Sequence, residues 1–473
     1  MKKTLLLFGL LLFSANLFAQ QFSLYDTETL FDSFENPAQR SIIRDSSNMY
    51  AFNFFMPNGG VNTSVHGNAN ATLQNRLFSP NKWDNRNLEI GQGKFNYTTA
   101  NANIYLIMFK VFTNLKGNQE LGFSLKIKGE GTAAVTDETI GILDGNDLFK
   151  AGDVYNNIFN SKGYYQTYHQ LGFSYREDVT NRLALGVKLN LLLGMSYQKL
   201  QIHESNIAFN NPDTSALLKL RATYYRSYTP GKLSWQDMIP STRHPGASIS
   251  LGASYKSERG VVWQFNVKDL GFIHWSNSSR IYYANDTTTL HPLAGEFKED
   301  SIRLQSVKLL NSGLVKVGSF TTPTNGIIEI GATKRYWLND MHTLRLSPSI
   351  IMQKQLFFPG YIGALVAHLQ YNKIIITGTT SYDDTRLLNI GGQFMYKTPN
   401  FEVFAGSESL LQTARAAVGS PNFGGQYAAG SIFIGLSAKF GAAVESNMNA
   451  SHIPMGEKGF LGRFWSRLFK TNR

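Results

Sequence analysis

Between Leu183 and Leu200 the chain alternates for eighteen residues. Leu183, Leu185, Val187, Leu189, Leu191, Leu193, Met195 and Tyr197 fall on one face of an extended strand. Ala184, Gly186, Lys188, Asn190, Gly194, Ser196 and Gln198 fall on the other, with Leu192 the one large apolar side chain out of place. Such a period of two puts one face in an apolar medium and the other in water or a polar lumen. Strands of soluble sheets run about 5–6 residues, whereas a tilted strand crosses a bilayer in roughly 9–11. This strand is long enough to cross and project beyond, so the apolar medium it implies is lipid.

The same grammar recurs along the chain. Leu171, Phe173 and Tyr175 oppose Gln170, Gly172, Ser174 and Arg176; Ile249, Leu251, Ala253 and Tyr255 oppose Ser248, Ser250, Gly252, Ser254 and Lys256. Val261, Trp263, Phe265 and Val267 oppose Gln264, Asn266 and Lys268, and Leu388, Ile390, Phe394 and Tyr396 oppose Asn389, Gly391, Gln393 and Lys397. Further strands are expected over 61–73, 100–113, 120–128, 217–228, 326–336, 343–354, 363–371, 373–382 and 401–408, separated by turn signals such as Glu258-Arg-Gly260 and Asp383-Asp384. Past residue 20 no run of about 18 apolar residues exists, so no spanning helix is expected. Aromatic residues make up 13% and charged residues 16% of the chain, with a mean hydropathy of −0.20. That balance fits an all-β protein, a transmembrane antiparallel β-barrel whose polar lumen face hides its lipid face from hydropathy. The segments number about 14, with 12–16 allowed, because bacterial barrels have even strand counts.

Residues 1–19 read as a secretory signal: Met1-Lys2-Lys3, an apolar Leu5–Phe13, and a cleavage site ending at Ala19. Residues 20–47 form an N-terminal segment, 48–440 the barrel, and 441–473 a basic tail. The tail carries an amphipathic helix in which Phe460, Phe464, Trp465 and Leu468 share a stripe beside Arg463 and Arg467, the pattern of a helix lying on an anionic membrane surface. The last strand ends Gly435, Ala438, Phe440, which looks like the assembly signal read by barrel insertion machinery. Thr136–Asn160 reads as helical or irregular with a cap at Thr136, and 286–322 as a long connection on the outer side. His274 and Trp275 are expected at the membrane interface. Asp269, two residues past the outward Val267, is expected to point outward at a strand end as a cap or turn former.

The formal charge of +12 is spread over strands and loops. Nothing resembles a nucleic-acid module, so the basic balance points to lipid phosphates or lipopolysaccharide and not to nucleic acid. No catalytic, cofactor-binding or metal-binding constellation is found. The nine histidines are isolated, there is no cysteine, and no nucleophile elbow, phosphate loop or dinucleotide fingerprint occurs.

Asn36-Pro37-Ala38, Gly145-Asn146 ahead of 163–176, the 183–194 strand and above all Asn266-Val-Lys268-Asp269-Leu270-Gly271-Phe-Ile-His-Trp275 resemble one family. It is an uncharacterised outer-membrane family of Bacteroidota, filed as domain of unknown function fifty-seven twenty-three. The resemblance runs from about Ser23 to Phe440, and Lys268, Asp269, Leu270, Gly271 and Trp275 are its most distinctive piece. Where the family commonly has an aspartate-asparagine pair, this chain has Ser407-Glu-Ser409. The family's distant relatives are long-chain fatty-acid transporters and barrel partners of the type IX secretion system. By that likeness Asn36, Pro37 and Ala38 belong to a segment folded into the lumen; as a plain turn they would need only the fixed φ of Pro37.

The function these readings imply is a barrel of the cell outer membrane that binds or passes a hydrophobic or amphiphilic small molecule, without a cofactor and without enzymatic activity. The alternative is a non-transporting scaffold for secretion or surface machinery. Its partners would be outer-membrane lipids and lipopolysaccharide, the insertion machinery and a periplasmic protein. An apolar lumen with a lateral gap would favour transport, and a lumen packed with polar side chains the scaffold.

Overall fold

A computed structural model describes residues 22–41, 49–78, 83–112, 118–145, 147–150, 152–211, 215–227, 239–357, 360–383, 388–418, 427–441 and 459–468. Residues 1–19, expected as a secretory signal, and most of 441–473 lie outside them. The chain forms a closed antiparallel barrel of 14 strands. The first wall strand is made of Tyr50–Phe52 and Asn58–His66, and it pairs on one side with Phe95–Phe112 and on the other with the last strand, Tyr427–Phe440. Pairing of Tyr50 with Phe440 puts the start of the first strand and the end of the last at one end of the barrel, its base.

The lipid face is legible strand by strand. Phe173, Leu189, Trp263, Phe265, Ile350, Leu365, Leu388, Ile390, Phe394 and Ile434 are exposed, whereas Lys188, Asn190, Gln264 and Asn266 are buried inside. No helix among the described residues is long and apolar enough to cross a membrane. The barrel crosses with strands, because closure pairs strand with strand all the way round and leaves no open sheet edge to face lipid.

Several expectations require correction. Alternation along 183–211 breaks at Met195, which the pairing with Lys162–Asp178 skips: Thr167 faces Ser196 and Tyr168 faces Gly194. This bulge reverses the phase, so Tyr197 turns inward against Trp275, their rings 5.4 Å apart. Leu192 lies inside with Tyr168, Tyr197, Ile273 and Trp275, and Leu193 is buried rather than lipid-exposed. The strand expected at 61–73 stops at His66, and helix Asn70–Phe78 follows. The stretch 286–322 is ordered: strand Arg280–Leu290 leads to helix Lys298–Ser312, then strands Leu314–Val317 and Phe320–Pro323. Together with Ser215–Arg226 and the far half of 183–211, these elements extend the wall beyond the barrel's far end into a head. The head has its own core of Ile142, Phe149, Phe159, Phe209, Leu218, Leu290 and Ile302. Thr136 caps the short helix Asp137–Gly141 by accepting from the Thr139 N–H, as expected.

Candidate functional site: the plugged lumen

The lumen is filled by the chain's own N-terminal segment. Thr29 initiates helix Leu30–Glu35, its hydroxyl accepting the Asp32 N–H at 3.2 Å. Leu24, Leu30, Phe31 and Phe34 then pack on an apolar patch of the inner wall formed by Ala51, Tyr105, Met108, Phe112, Ile375, Met395, Phe404 and Phe433. Such a patch is unusual for a barrel interior, which is ordinarily polar.

Both ends of this short helix carry unpaired backbone groups, and the wall supplies the matching charge. At its start the Leu30 N–H donates to Glu402 at 2.7 Å, and Glu402 is paired with Lys439 at 3.1 Å. At its end Lys110 donates to the Ser33 carbonyl (3.0 Å), Lys188 to that of Phe34 (2.7 Å) and Asn266 to that of Glu35 (3.0 Å). The rest of the segment is fastened in the same manner. Lys397 donates to the Thr27 carbonyl, His368 Nε2 to that of Tyr25, and the Ser23 N–H donates to Glu408. Glu408 is thus what this chain uses at the Ser407-Glu-Ser409 position, a role the sequence did not indicate. Arg335 pairs with Asp26 at 3.1 Å and Glu28 at 2.9 Å, and Lys126 with Glu35 at 3.4 Å. Although burial opposes it, Arg335 and Lys397 hold the Glu28 carboxyl well below the usual carboxylate range, and Lys126, Lys268 and Lys188 do the same for Glu35.

Asn36, Pro37 and Ala38 sit in a cradle made of two glycines. Gly186 and Gly252 face each other across neighbouring strands. A Cβ on Gly186 would lie 2.1 Å from the Pro37 carbonyl oxygen, and one on Gly252 2.5 Å from the Asn36 Oδ1. Asn36 donates to Gln264 at 3.0 Å, its own Oδ1 accepts the Ala38 N–H, and Arg176 donates to the Ala38 carbonyl at 2.8 Å.

The Lys268–Trp275 element is the second half of strand Val261–Trp275 and ends it, but Asp269 lies in mid-strand and points inward. The register between Val261–Trp275 and Pro245–Lys256 shifts between Val267 and Leu270, and Asp269 adopts a φ of +50°. This bulge swings its carboxylate inside, where Lys128 (2.8 Å), Lys126 (3.7 Å) and Gln170 (2.9 Å) meet it. Lys268 pairs with Glu329 at 3.1 Å, and Leu270 is exposed. A Cβ on Gly271 would lie 2.1 Å from the Ala247 carbonyl. Trp275 is fully buried, donating to Thr322 at 2.8 Å, whereas His274 is exposed. Of the pair, His274 alone reaches the outer surface.

Between plug and wall lies a cavity of about 20 Å³ lined by Leu24, Tyr25, Phe31, Asp32, Glu35, Asn36, Asn103, Lys268 and Glu329. Its size and its four charged side chains, Asp32, Glu35, Lys268 and Glu329, suit it to a water molecule and not to an acyl chain. No cluster of three or more metal-ligating side chains occurs among the described residues.

The remaining sites are the closing strand and the tail helix. A Cβ on Gly435 would collide with the Phe404 ring at 2.2 Å; Ala438 pairs with Phe52, and Phe440 with Tyr50 at the base. Helix Phe460–Leu468 starts against the outer face of the wall. Its Leu461 N–H donates to Glu177 at 2.9 Å, and Tyr175 donates to the same carboxylate at 2.8 Å. Glu177 is therefore buried, while Phe460, Arg463, Phe464 and Arg467 remain exposed and Trp465 is half-buried.

The model of a "Family of unknown function (DUF5723)" matches residues 48–408. No curated protein matches the sequence. Among solved structures the chain is similar to a deltaS2S3 mutant of the TodX monoaromatic hydrocarbon channel, at 8% identity and a TM-score of 0.44, covering 86% of this chain and 94% of that one. It is also similar to a Pseudomonas aeruginosa FadL homologue (12%, 0.40, 88% and 95%) and to the Ralstonia pickettii toluene transporter TbuX (9%, 0.39, 83% and 90%). At these identities the likeness concerns the fold alone.

Proposed function

The chain belongs to the DUF5723 family of unknown function, and from that premise we propose an outer-membrane barrel that binds or passes hydrophobic or amphiphilic small molecules under control of its N-terminal plug. The observation that carries this reading is the apolar patch on the inner wall. Tyr105, Met108, Phe112, Met395, Phe404 and Phe433 would meet water in an open pore, and here the plug's Leu30, Phe31 and Phe34 cover them. An apolar ligand fits the surface those side chains now occupy, so plug and ligand compete.

A second reading, the scaffold, has its own support in the plug's fastening. A hydrogen bond to a charged group contributes about 1.5–3 kcal/mol. Six such bonds, from Lys110, Lys188, Lys397 and Arg176 to plug carbonyls and to Glu402 and Glu408 from plug N–H groups, amount to roughly 9–18 kcal/mol gross. A micromolar ligand supplies about 8 kcal/mol. Opening therefore needs a second input, such as a periplasmic partner of the N-terminal segment or of the tail. The exposed Phe460, Arg463, Phe464 and Arg467 suit the tail to the inner leaflet or to that partner, and Gly435, Ala438 and Phe440 suit the closing strand to the insertion machinery.

The test compares full-length protein in detergent with a Phe31→Ser/Phe34→Ser variant, using N-phenyl-1-naphthylamine as an apolar probe. Saturable binding by the variant and weak binding by the parent are expected. No saturable binding by either would remove the ligand reading and leave the scaffold.

A further inference from the structure

Outward side chains near the base of the wall follow a fixed order. Strand Lys162–Asp178 pairs with Gln119–Thr136 so that Phe173 faces Phe123, Tyr175 faces Leu121 and Glu177 faces Gln119. Phe173 and Leu121 are exposed on the lipid side, and the Phe123 and Phe173 rings lie 5.3 Å apart. Each rung is two residues, about 7 Å, nearer the base than the one before. Down the wall come two phenylalanines, then a tyrosine beside a leucine, then a carboxylate beside an amide. That is the order in which a barrel strand leaves the acyl chains, crosses the aromatic girdle and enters the headgroups.

Glu177 is on the lipid side of the wall and yet only 1% exposed, because the tail helix covers it. No ion pair among the described residues includes it. The positive end of helix Phe460–Leu468 meets it instead, through the Leu461 N–H. Gly459 permits this approach: a Cβ there would lie 2.6 Å from Glu177 Oε2 and would also meet Gln119 and the Tyr175 hydroxyl. The carboxylate and the glycine fix the helix at headgroup level, next to the lipid-facing rungs above. Gly462 is buried and Trp465 and Ser466 are half-buried, so theirs is the docked side. At about 100° per residue, Arg463, Arg467, Phe460 and Phe464 follow one another in that order round the opposite arc. All four are exposed, and no acidic residue occurs from Phe460 to Arg473. A protein-binding patch keeps charge out of its centre. Here cations hold one half of the arc and aromatics the other, the division that a boundary between phosphates and acyl chains imposes.

Resting on the outer-membrane placement above, and choosing between the two occupants left open there for the tail, we propose that helix Phe460–Leu468 and the wall beside it form a binding site for an anionic phospholipid of the inner leaflet. Arg463 and Arg467, one turn apart, hold its phosphate. Phe460 and Phe464 flank its glycerol end, and an acyl chain runs up the wall over Leu121 and Phe173. Glu177 acts at one remove, as the residue that positions the helix.

The experiment places the full chain in nanodiscs of phosphatidylcholine with a minority of phosphatidylglycerol, one or the other lipid carrying a diazirine in its acyl chain, and maps labelled residues by mass spectrometry. Per molecule, phosphatidylglycerol should label Leu121, Phe173 and residues 460–464 roughly thirtyfold more than phosphatidylcholine, about 2 kcal/mol at about 1 kcal/mol for each arginine. Arg463→Gln/Arg467→Gln should abolish that excess, whereas Arg182→Gln, an exposed arginine at the same end, should leave it. Equal labelling by the two lipids in the parent, or an excess that survives the double substitution, overturns the site. No label on 460–464 from either lipid also overturns it and assigns the tail to a periplasmic protein. Leu189 and Phe394 report the membrane placement: if neither lipid labels them, that placement fails and the site with it. Heat-modifiable gel migration reports folding; if the double variant does not fold, Arg463→Gln alone with an undiminished excess overturns the site.

Discussion

Gly186→Ala should unseat the plug while sparing the barrel. The added methyl would sit 2.1 Å from the Pro37 carbonyl oxygen and 2.6 Å from the Ala38 nitrogen. Both contacts are backbone, so no side-chain rotation relieves them, and the 36–38 turn must lift. Lifting breaks the Arg176 bond to the Ala38 carbonyl, the Asn36–Gln264 pair and the Asn266 bond to the Glu35 carbonyl. One charged bond at about 1.5–3 kcal/mol and two neutral ones near 1 kcal/mol give a loss of roughly 3.5–5 kcal/mol. Since about 1.4 kcal/mol is a factor of ten, amides of the 30–38 stretch should exchange with deuterium about a thousandfold faster. Gly363→Ala is the control, because nothing lies within 4 Å of that Cβ. Exchange measured by mass spectrometry, with barrel integrity read from gel migration, checks the outcome. Unchanged protection in Gly186→Ala would refute the idea that the glycine pair seats the plug.

Leu189→Arg places a charge on the lipid face, where it costs about 2–4 kcal/mol, so the yield of folded barrel should fall while Leu189→Phe leaves it intact. Glu177→Ala removes the acceptor at the start of the tail helix; residues 460–468 should become protease-sensitive at a stability cost of about 1 kcal/mol, with the barrel still inserted. Glu28 and Glu35 have folded pKa values below their unfolded ones. Their stabilisation of the plug is therefore complete above about pH 4.3 and is lost as pH falls toward the folded values. Burial and the neighbouring Asp26 raise the Asp32 pKa, which works in the opposite sense, one carboxyl against two. Bilayer conductance near pH 3 should exceed that at pH 7, and equal conductance would show that these ion pairs do not hold the plug.

Most of the wall was legible in the sequence because pleat geometry is local. Residues such as Trp263, Phe265, Ile390 and Phe394 face lipid as their alternation requires, and neighbouring strands lie only a short turn apart. The tail helix and the Thr136 cap were legible for the same reason, each being written within a few consecutive residues. A closed, even-stranded barrel followed from the number of such strands and from the need to leave no edge in lipid.

What the sequence could not hold is set by contacts between distant residues. Asp269 and Tyr197 turn inward because bulges shift the phase by one, and where a bulge falls depends on the partner strand. The cradle under Asn36, Pro37 and Ala38 needs Gly186 and Gly252 brought side by side, and the plug helix is capped by Glu402, 372 positions away from Leu30. The Phe52–Asn58 interruption appears only when the first strand is set against the last. Alternation decides which medium each face of a strand meets. Closure of the barrel decides which residues share the lumen, since only there do side chains from the two ends of the chain come within hydrogen-bonding distance.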